Sequence, residues 1–382
     1  MFDLTRFTGR DMKISEKLVE FNWGFLLLIT AIASIGFAML YSVADGSLSP
    51  WAMRQMIRFA AGVGIMIFVA MIDIRVWMSV AYPLYGVALA LVTAVDIVGF
   101  KGMGAQRWLD LGIIQLQPSE VMKVAILLAL ARYFHGLPLE EVSRIRNLIV
   151  PLLMVVVPVG LVIEQPDLGT GILLIISGGT IFFAAGLRWR YFIVSGLAVL
   201  GAIPIIWERL HDYQRNRVFT FLDPERDPLG AGYHILQSKI ALGSGGLFGK
   251  GFMAGTQAQL NFLPEKQTDF IFTMLGEEMG FAGALFLLFL YAVTLTMAAN
   301  VALQCRNQFA RLLALGIAVS FFFYVFINAA MVMGLLPVVG VPMPLVSYGG
   351  TAMLSLMFAF GLLMSCHIHR NVEVTRGSSP FS

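Results

Sequence analysis

Ten apolar runs follow one another along this sequence, near residues 21–43, 56–72, 77–99, 118–134, 148–164, 170–186, 191–207, 269–297, 312–335 and 348–366. Short charged or Gly/Pro-containing breaks part them. A bilayer core about 30 Å thick takes roughly 20 apolar residues per helix, so each run is predicted to cross. With 58% hydrophobic residues and a mean hydropathy of +0.81, a water-soluble body of 382 residues would lack polar surface to cover it. The predicted fold class is all-α: a polytopic integral membrane helical bundle of about ten transmembrane helices. It divides into an N-terminal segment 1–20, a membrane domain 21–366 and a tail 367–382, with a long extracytoplasmic loop 208–268 between the seventh and eighth spans.

Lys and Arg in the short loops set the orientation. With the N-terminus cytoplasmic, segments 1–20, 73–76, 132–147, 187–190, 301–311 and 367–382 hold 14 of the 26 basic residues. The opposite loops 165–169 and 336–347 hold none, and 44–55 with 100–117 hold only Arg54, Lys101 and Arg107. Loop 208–268 adds seven, but a segment that long escapes the rule. Both termini are therefore expected in the cytoplasm and the active face outside it. Four basic and four acidic side chains in 1–20 argue against a cleavable signal, and that leader reads equally as an interfacial helix or a solvated segment. Cys305 and Cys366 fall on the reducing side, where no disulfide framework is expected. The net charge of +3 suits anionic lipid headgroups and gives no reason to expect nucleic acid.

Polar chemistry gathers at a few stations on the outer side. In "KGMGAQRWLDLG", Gly102 and Gly104 permit tight turns, and Arg107 sets a cation beside the flat ring of Trp108. That pair suits a sugar face, and an aromatic-belt anchor with a snorkelling Arg explains it too. Pro118 and Ser119 open the fourth span, and Glu120 and Lys123 sit at i and i+3 on one face within it. Each alone would cost about 3 kcal/mol at mid-membrane, so they are expected to pair and to serve function. In "EQPDLGTG", Asp167 is a candidate both for capping the sixth helix and for substrate contact, beside Glu164. The strip "GSGGLFGKG" at 243–251 lacks the first Gly and the final Ser or Thr of a P-loop; it reads as flexible backbone near a headgroup, or as a turn.

The densest charge lies in "LPEKQTDF", 263–270, at the mouth of the eighth span. Asp269 could cap that helix. Thr273 would then lie one turn below it, with Glu277 and Glu278 two turns down, and the stripe Gly276, Gly280, Gly283 would pack the helix tightly enough to point its acids into a cavity. A carboxylate partly desolvated there has its pKa pushed up from about 4 towards neutrality, as a general base requires. Lys266 is a candidate cation. "GLLPVVGVPMPLVSYGGTAM", 334–353, carries three prolines that make a rigid turn before the last span, and "CHIHR" at 366–370 lacks a fourth metal ligand.

Together "GAQRWLDLG", "QPSEVMK", "PDLGTG", "LPEKQTDFIF" with "GEEMGFAG", and "GVPMPLVSYGGT" resemble the SEDS family of polytopic peptidoglycan glycosyltransferases over roughly 21–366. The last motif is closer to the RodA, or cell-elongation, branch than to the FtsW division branch. The resemblance implies polymerisation of lipid II at the outer face of the bacterial inner membrane, for elongation and rod shape. It implies the essential aspartate at Asp269, the Arg-Trp pair at Arg107 and Trp108, and the functional Glu and Lys at Glu120 and Lys123. Where the family favours His before Thr-Asp, this chain has Gln267. Implied partners are lipid II and the growing glycan strand, a class B penicillin-binding protein transpeptidase, and other elongation-complex membrane proteins. No organic cofactor is expected; a divalent cation, Mg or Mn, is the candidate aid to the departing charge, with Arg107, Lys123 and Lys266. A lipid II flippase and a scaffold for the transpeptidase stand as alternatives.

Overall fold

The structure is a computed structural model that describes residues 12–373 except 103–104, 111, 113–114, 210–211, 224–230, 261 and 264. The turn residue Gly104, the turn around Pro224–Pro228, residues 1–11 and the tail beyond Glu373 therefore lie outside the described residues. A short helix α1 (Ile14–Glu20) precedes α2 (Trp23–Val43), α3 (Ala52–Met71) and α4 (Ile74–Val98). Strands β1 (Phe100–Gly102), β2 (Ala105–Asp110) and β3 (Gln115–Leu116) lead into α5 (Pro118–His135), then α6 (Leu139–Val142), α7 (Ile145–Glu164), α8 (Leu168–Ala184) and α9 (Trp189–Arg209). Between α9 and the next long helix come α10 (Asp212–Leu222), α11 (Ala231–Ser244) and α12 (Thr256–Gln259); α13 (Ile271–Gln304), α14 (Gln308–Val332) and α15 (Gly350–Ile368) complete the chain.

Each predicted span falls on one of these helices. Seven of them, α2, α3, α4, α7, α13, α14 and α15, are long and apolar enough to cross a membrane; α8 and α9 carry shorter apolar stretches. α5 is more polar because Glu120, Lys123 and Arg132 stand on it. Side chains of Asn22, Asp73, Asp167 and Asn307 cap their helices, and Pro118 fills the first position of α5, where its missing N–H costs nothing. Pro83, Pro151, Pro158 and Pro204 sit inside helices, as membrane bundles tolerate. α15 lies along α3, with Gly62 admitting Met357 and Gly361 admitting Val69. Large apolar side chains such as Leu27, Phe68 and Val194 point outward, the arrangement of a bundle whose solvent is lipid.

The all-α expectation needs one amendment. The polar segment after α4 folds back on itself as an antiparallel sheet of order β1-β2-β3, pairing Lys101 with Gln106 and Leu109 with Leu116. That ladder satisfies the backbone of a segment too polar to continue as a span, and it fixes Arg107 and Trp108 on β2.

The glycine strip is the second correction. It is not free backbone near a headgroup: it docks into a break in α13. Gly280 there has φ +69°, off the helical path, and Phe281 N and Ala282 N donate instead to the carbonyls of Gly246 and Leu247. In return Lys250 N and Gly251 N donate to the carbonyls of Glu277 and Glu278. The two acids expected in a cavity are consumed by this joint. Glu277 takes Lys250 Nζ at 2.7 Å together with the Gln257 amide, and Glu278 takes Ser42 Oγ at 2.5 Å and the Met253 amide. Thr273 is likewise turned away from Asp269, bonding to Ser238 on α11.

At the opposite end, Lys17 Nζ donates to the Met71 carbonyl and Arg370 pairs with Glu20 at 2.8 Å, tying α1 to the ends of α3 and α15. Cys305 and Cys366 are buried there as free thiols. His369 bonds through Nδ1 to the Ser365 carbonyl, so this histidine of "CHIHR" serves the helix end.

Candidate active site

The N-terminal ends of α5, α8, α13 and α15 converge with β2, α10 and the 338–342 turn around a polar cleft of about 440 Å³. Arg107, Trp108, Glu120, Lys123, Asp167 and Asp269, from four separate stretches of sequence, all line it. Lys266 and Gln267 do not. Lys266 is buried, and that burial lowers its ammonium pKa against the pull of Asp45, which it faces in place of the cleft; Gln267 lends its carbonyl to Tyr348 N. Glu164 is exposed at the end of α7 and is also outside the cleft.

Asp269 does not cap α13. Phe270 holds the N-cap position and no side chain caps the helix, leaving both carboxyl oxygens of Asp269 clear of that duty. Its backbone is held rigidly. The carbonyls of Gln267, Thr268 and Asp269 accept in succession from Tyr348 N (2.8 Å), Ser347 Oγ (2.6 Å) and Asn328 Nδ2 (2.9 Å). Asp269 Oδ2 comes within 3.5 Å of where a Cβ on Gly340 would stand, and Gly340 has φ +73°, a conformation glycine adopts without strain. Burial pushes the Asp269 carboxyl up to about 7; Glu265 adds to the rise, Arg217 and Arg107 oppose it, and Asp167 adds a little more. Asp269 can therefore exchange a proton near neutral pH.

Arg107 Nε donates to the Gln165 carbonyl at 3.2 Å and its Nη2 to that of Pro166, with Asp167 3.8 Å away. It locks the sheet onto the turn between α7 and α8 while lining the cleft, so it is more than an interfacial anchor. Asp167 both caps α8, accepting from Thr170 N, and takes Gln117 Nε2 at 3.3 Å. Lys123 and Glu120 pair at 2.6 Å, both nearly inaccessible; Tyr324 presents its hydroxyl to Glu120 and its ring to Lys123, whose Nζ is 4.3 Å from the centroid. That arrangement meets the requirement that a buried ion pair satisfy its remaining valences.

Below Glu120, Lys123 and Tyr324 the polar cleft meets an apolar cavity between α5, α14 and α15, lined by Leu127, Ile317, Phe321 and Leu356. Among the described residues no three His, Cys, Asp or Glu side chains group to hold a metal ion. Glu120 and Asp167 are already paired with cations. The donors among the described residues therefore do not fit a resident metal. Sequence reasoning passed over Arg217, Tyr324 and Asn328. Arg217 stands on α10, within a segment that the sequence gives only as a long loop, and the two neutral residues are single polar letters within the apolar α14; their presence in a membrane run is the signal that could have found them.

Residues 18–372 match the family model FTSW_RODA_SPOVE, described as "Cell cycle protein". The peptidoglycan glycosyltransferase MrdB of Escherichia coli K12 is 47% identical over 350 residues, covering 91% of this chain and 93% of that one. The stage V sporulation protein E of Bacillus subtilis is 34% identical, covering 89% and 95%. Among solved structures, the crystal structure of the Thermus thermophilus rod shape determining protein RodA superposes with a TM-score of 0.71 at 30% identity, covering 92% and 98%. A chain from a study of structural coordination of polymerization and crosslinking by a peptidoglycan synthase complex gives 0.81 at 33%, covering 92% and 98%.

Proposed function

The chain belongs to the cell cycle protein family of FtsW, RodA and SpoVE and is a peptidoglycan glycosyltransferase of cell elongation; we propose that Asp269 is the general base of its reaction. The observation that carries this reading is a single carboxylate, raised to about 7 and relieved of capping duty, in a cleft shared with Arg107 and Lys123 and opening onto an apolar cavity.

Lipid II joins a polyprenyl tail to a disaccharide through a diphosphate, and the apolar cavity, the cations and the base stand in the order such a molecule needs. Asp269 takes the proton of the acceptor GlcNAc 4-hydroxyl. The oxygen attacks the anomeric carbon of the donor MurNAc with inversion as the bond to the diphosphate breaks, and the polyprenyl diphosphate leaves with the electron pair. Arg107 and Lys123 stabilise that departing charge, usually the larger contribution beside a base's ~10²–10⁴-fold. Glu120 and Tyr324 hold Lys123 in place, and Trp108 offers its ring to a sugar face. Asp167 orients Arg107.

The protein is a multi-pass membrane protein. The cleft lies at the extracytoplasmic end, since Lys17, Arg75, Arg188, Arg306, Arg311 and Arg370 gather at the other, and both termini are cytoplasmic. A class B penicillin-binding protein is the partner that would cross-link the product, a reading supported by the similarity to a chain of a synthase complex that coordinates both reactions. Among the described residues the cleft offers a Mg or Mn ion no group of three acidic, imidazole or thiol ligands. The test is polymerisation of fluorescent lipid II by the purified protein with its transpeptidase. Asp269→Asn is expected to make no polymer, and a wild-type rate from that variant overturns the assignment.

A further inference from the structure

The turn into α15 reads "YGGT" at 348–351, and beyond the Tyr348 amide that holds the Gln267 carbonyl neither the base nor the Glu120–Lys123 pair uses it. No side chain caps α15, and the first-turn amides of Gly350, Thr351 and Ala352 have no hydrogen-bond partner among the described residues. Gly349 to Ala352 line the polar cleft, so the positive end of a 19-residue helix faces it.

Two side chains add donors at the same spot. Thr351 is 3% exposed and lines the cleft, yet its Oγ1 has no partner among the described residues. A helical threonine ordinarily bonds back to the carbonyl four residues earlier, but here that carbonyl, of Ser347, is taken by Gln55 Nε2 at 2.9 Å. Arg58 on α3 lies directly behind the turn. Its Cζ is 3.1 Å from where a Cβ on Gly350 would stand and 4.8 Å from the Tyr348 ring centroid, and its Nη1 is buried and unpartnered. Free amides and an unused hydroxyl facing the cleft make an anion site, to which the guanidinium adds positive charge from behind the turn.

Position identifies the anion. Gly349 and Ala352 line both the polar cleft and the apolar cavity, which continues along Met353, Leu356 and Ala359. A ligand filling both would carry its charge where they meet. The carboxylate nearest that junction, Glu120, is neutralised by Lys123. The charges acting on Asp269 come from Glu265, Arg217, Arg107 and Asp167, none of them on α3 or α15. We propose that the N-terminus of α15, with Thr351 and Arg58, binds the diphosphate of a polyprenyl-linked saccharide. The site deepens the glycosyltransferase reading and rests on it for the identity of tail and sugar.

The test measures binding of undecaprenyl diphosphate to the full chain in nanodiscs, with undecaprenol and inorganic pyrophosphate as companion probes. Wild type binds the lipid diphosphate at least about tenfold more tightly than either companion. Thr351→Val and Arg58→Leu each raise its Kd on the order of tenfold without altering undecaprenol binding, and Thr351→Ser restores the wild-type value. Wild-type affinity in Thr351→Val and Arg58→Leu proteins of unchanged melting temperature overturns the proposal. Inorganic pyrophosphate binding as tightly as the lipid also overturns the polyprenyl assignment. Asp269→Asn keeps the wild-type Kd: loss of its polymerase activity bears on the base alone, so the two readings fail separately.

Discussion

Asn328 donates its one amide nitrogen to two carbonyls, that of Asp269 at 2.9 Å and that of Val341 at 2.7 Å. A fully buried side chain on α14 thereby pins the base to the turn that forms the far wall of the cleft. Removing the amide leaves two buried carbonyls unpaired, at a cost of about 1–3 kcal/mol each. Asn328→Ala is expected to lower the melting temperature and to cut kcat by about tenfold or more through loss of positioning, with KM for lipid II little changed. Asn328→Gln, which keeps the donor on a longer stem, should recover part of both. Steady-state polymerisation and thermal melts in detergent check this.

Asp269 gives a pH signature. Its folded pKa of about 7 lies above the ordinary 3.8, so activity should rise through pH 7 and level off above it as the base ionises. The sign for stability is opposite. A raised carboxyl pKa means that the folded state holds the proton more tightly than the unfolded chain, so this contribution is whole below about pH 4 and is lost as pH rises through 7. Asn cannot ionise and escapes the loss. Asp269→Asn should therefore match wild type near pH 4 and be more stable by roughly 2–4 kcal/mol at pH 8, while losing on the order of 10²–10⁴ in rate. Paired melts across about pH 4–9 and rates across about pH 5–9 decide it.

Much of the cleft could be seen in the sequence because ionisable letters inside membrane-length apolar runs are costly and so stand out. Glu120 and Lys123 stood out in this way; Asp269 was marked by the dense charge at the mouth of a run and Arg107 and Asp167 by the polar outer loops, and the span positions followed from bilayer thickness. Direction was harder. Lys266 and Gln267 sit beside Asp269 in sequence, yet Lys266 faces Asp45 and Gln267 gives its carbonyl to Tyr348 N, some 80 residues distant. Glu277 and Glu278 looked like a cavity lining because nothing local says that Gly280 leaves the helix, or that the glycine strip fills the gap. Asn328 carries only the weaker signal of a lone amide within a membrane run, and Thr351, small and neutral at the start of a span, carries none.

The Glu120–Lys123 pair should behave as a unit. Lys123→Met strands a carboxylate that is almost wholly buried and is expected to cost about 3–5 kcal/mol, whereas Glu120→Gln with Lys123→Met removes both charges and should recover most of that. Tyr324→Phe keeps the ring under Lys123 and loses only the hydroxyl at 3.3 Å from Glu120, so it should cost about 1–2 kcal/mol. If Lys123 stabilises the leaving diphosphate, the double variant will be stable yet inactive. A stable double variant that polymerises at the wild-type rate would show the pair to be structural only.

The glycine strip is expected to be intolerant at the positions that touch α13 and tolerant elsewhere. A Cβ on Gly249 would lie 2.1 Å from the Glu278 carbonyl oxygen, and its φ of +80° already disfavours any other residue. Both conflicts are with backbone, which cannot swing aside as a side chain can. Gly249→Ala should therefore undock the strip and release Lys250 from Glu277, a loss of about 4 kcal/mol or more, with polymerase activity falling alongside the melting temperature. Gly243 lies near the end of α11 with nothing within 4 Å, so Gly243→Ala should be neutral or stabilise by up to about 1 kcal/mol through helix propensity. Equal effects of the two substitutions would mean that the strip does not hold the break in α13, and that Glu277 and Glu278 are free for another role.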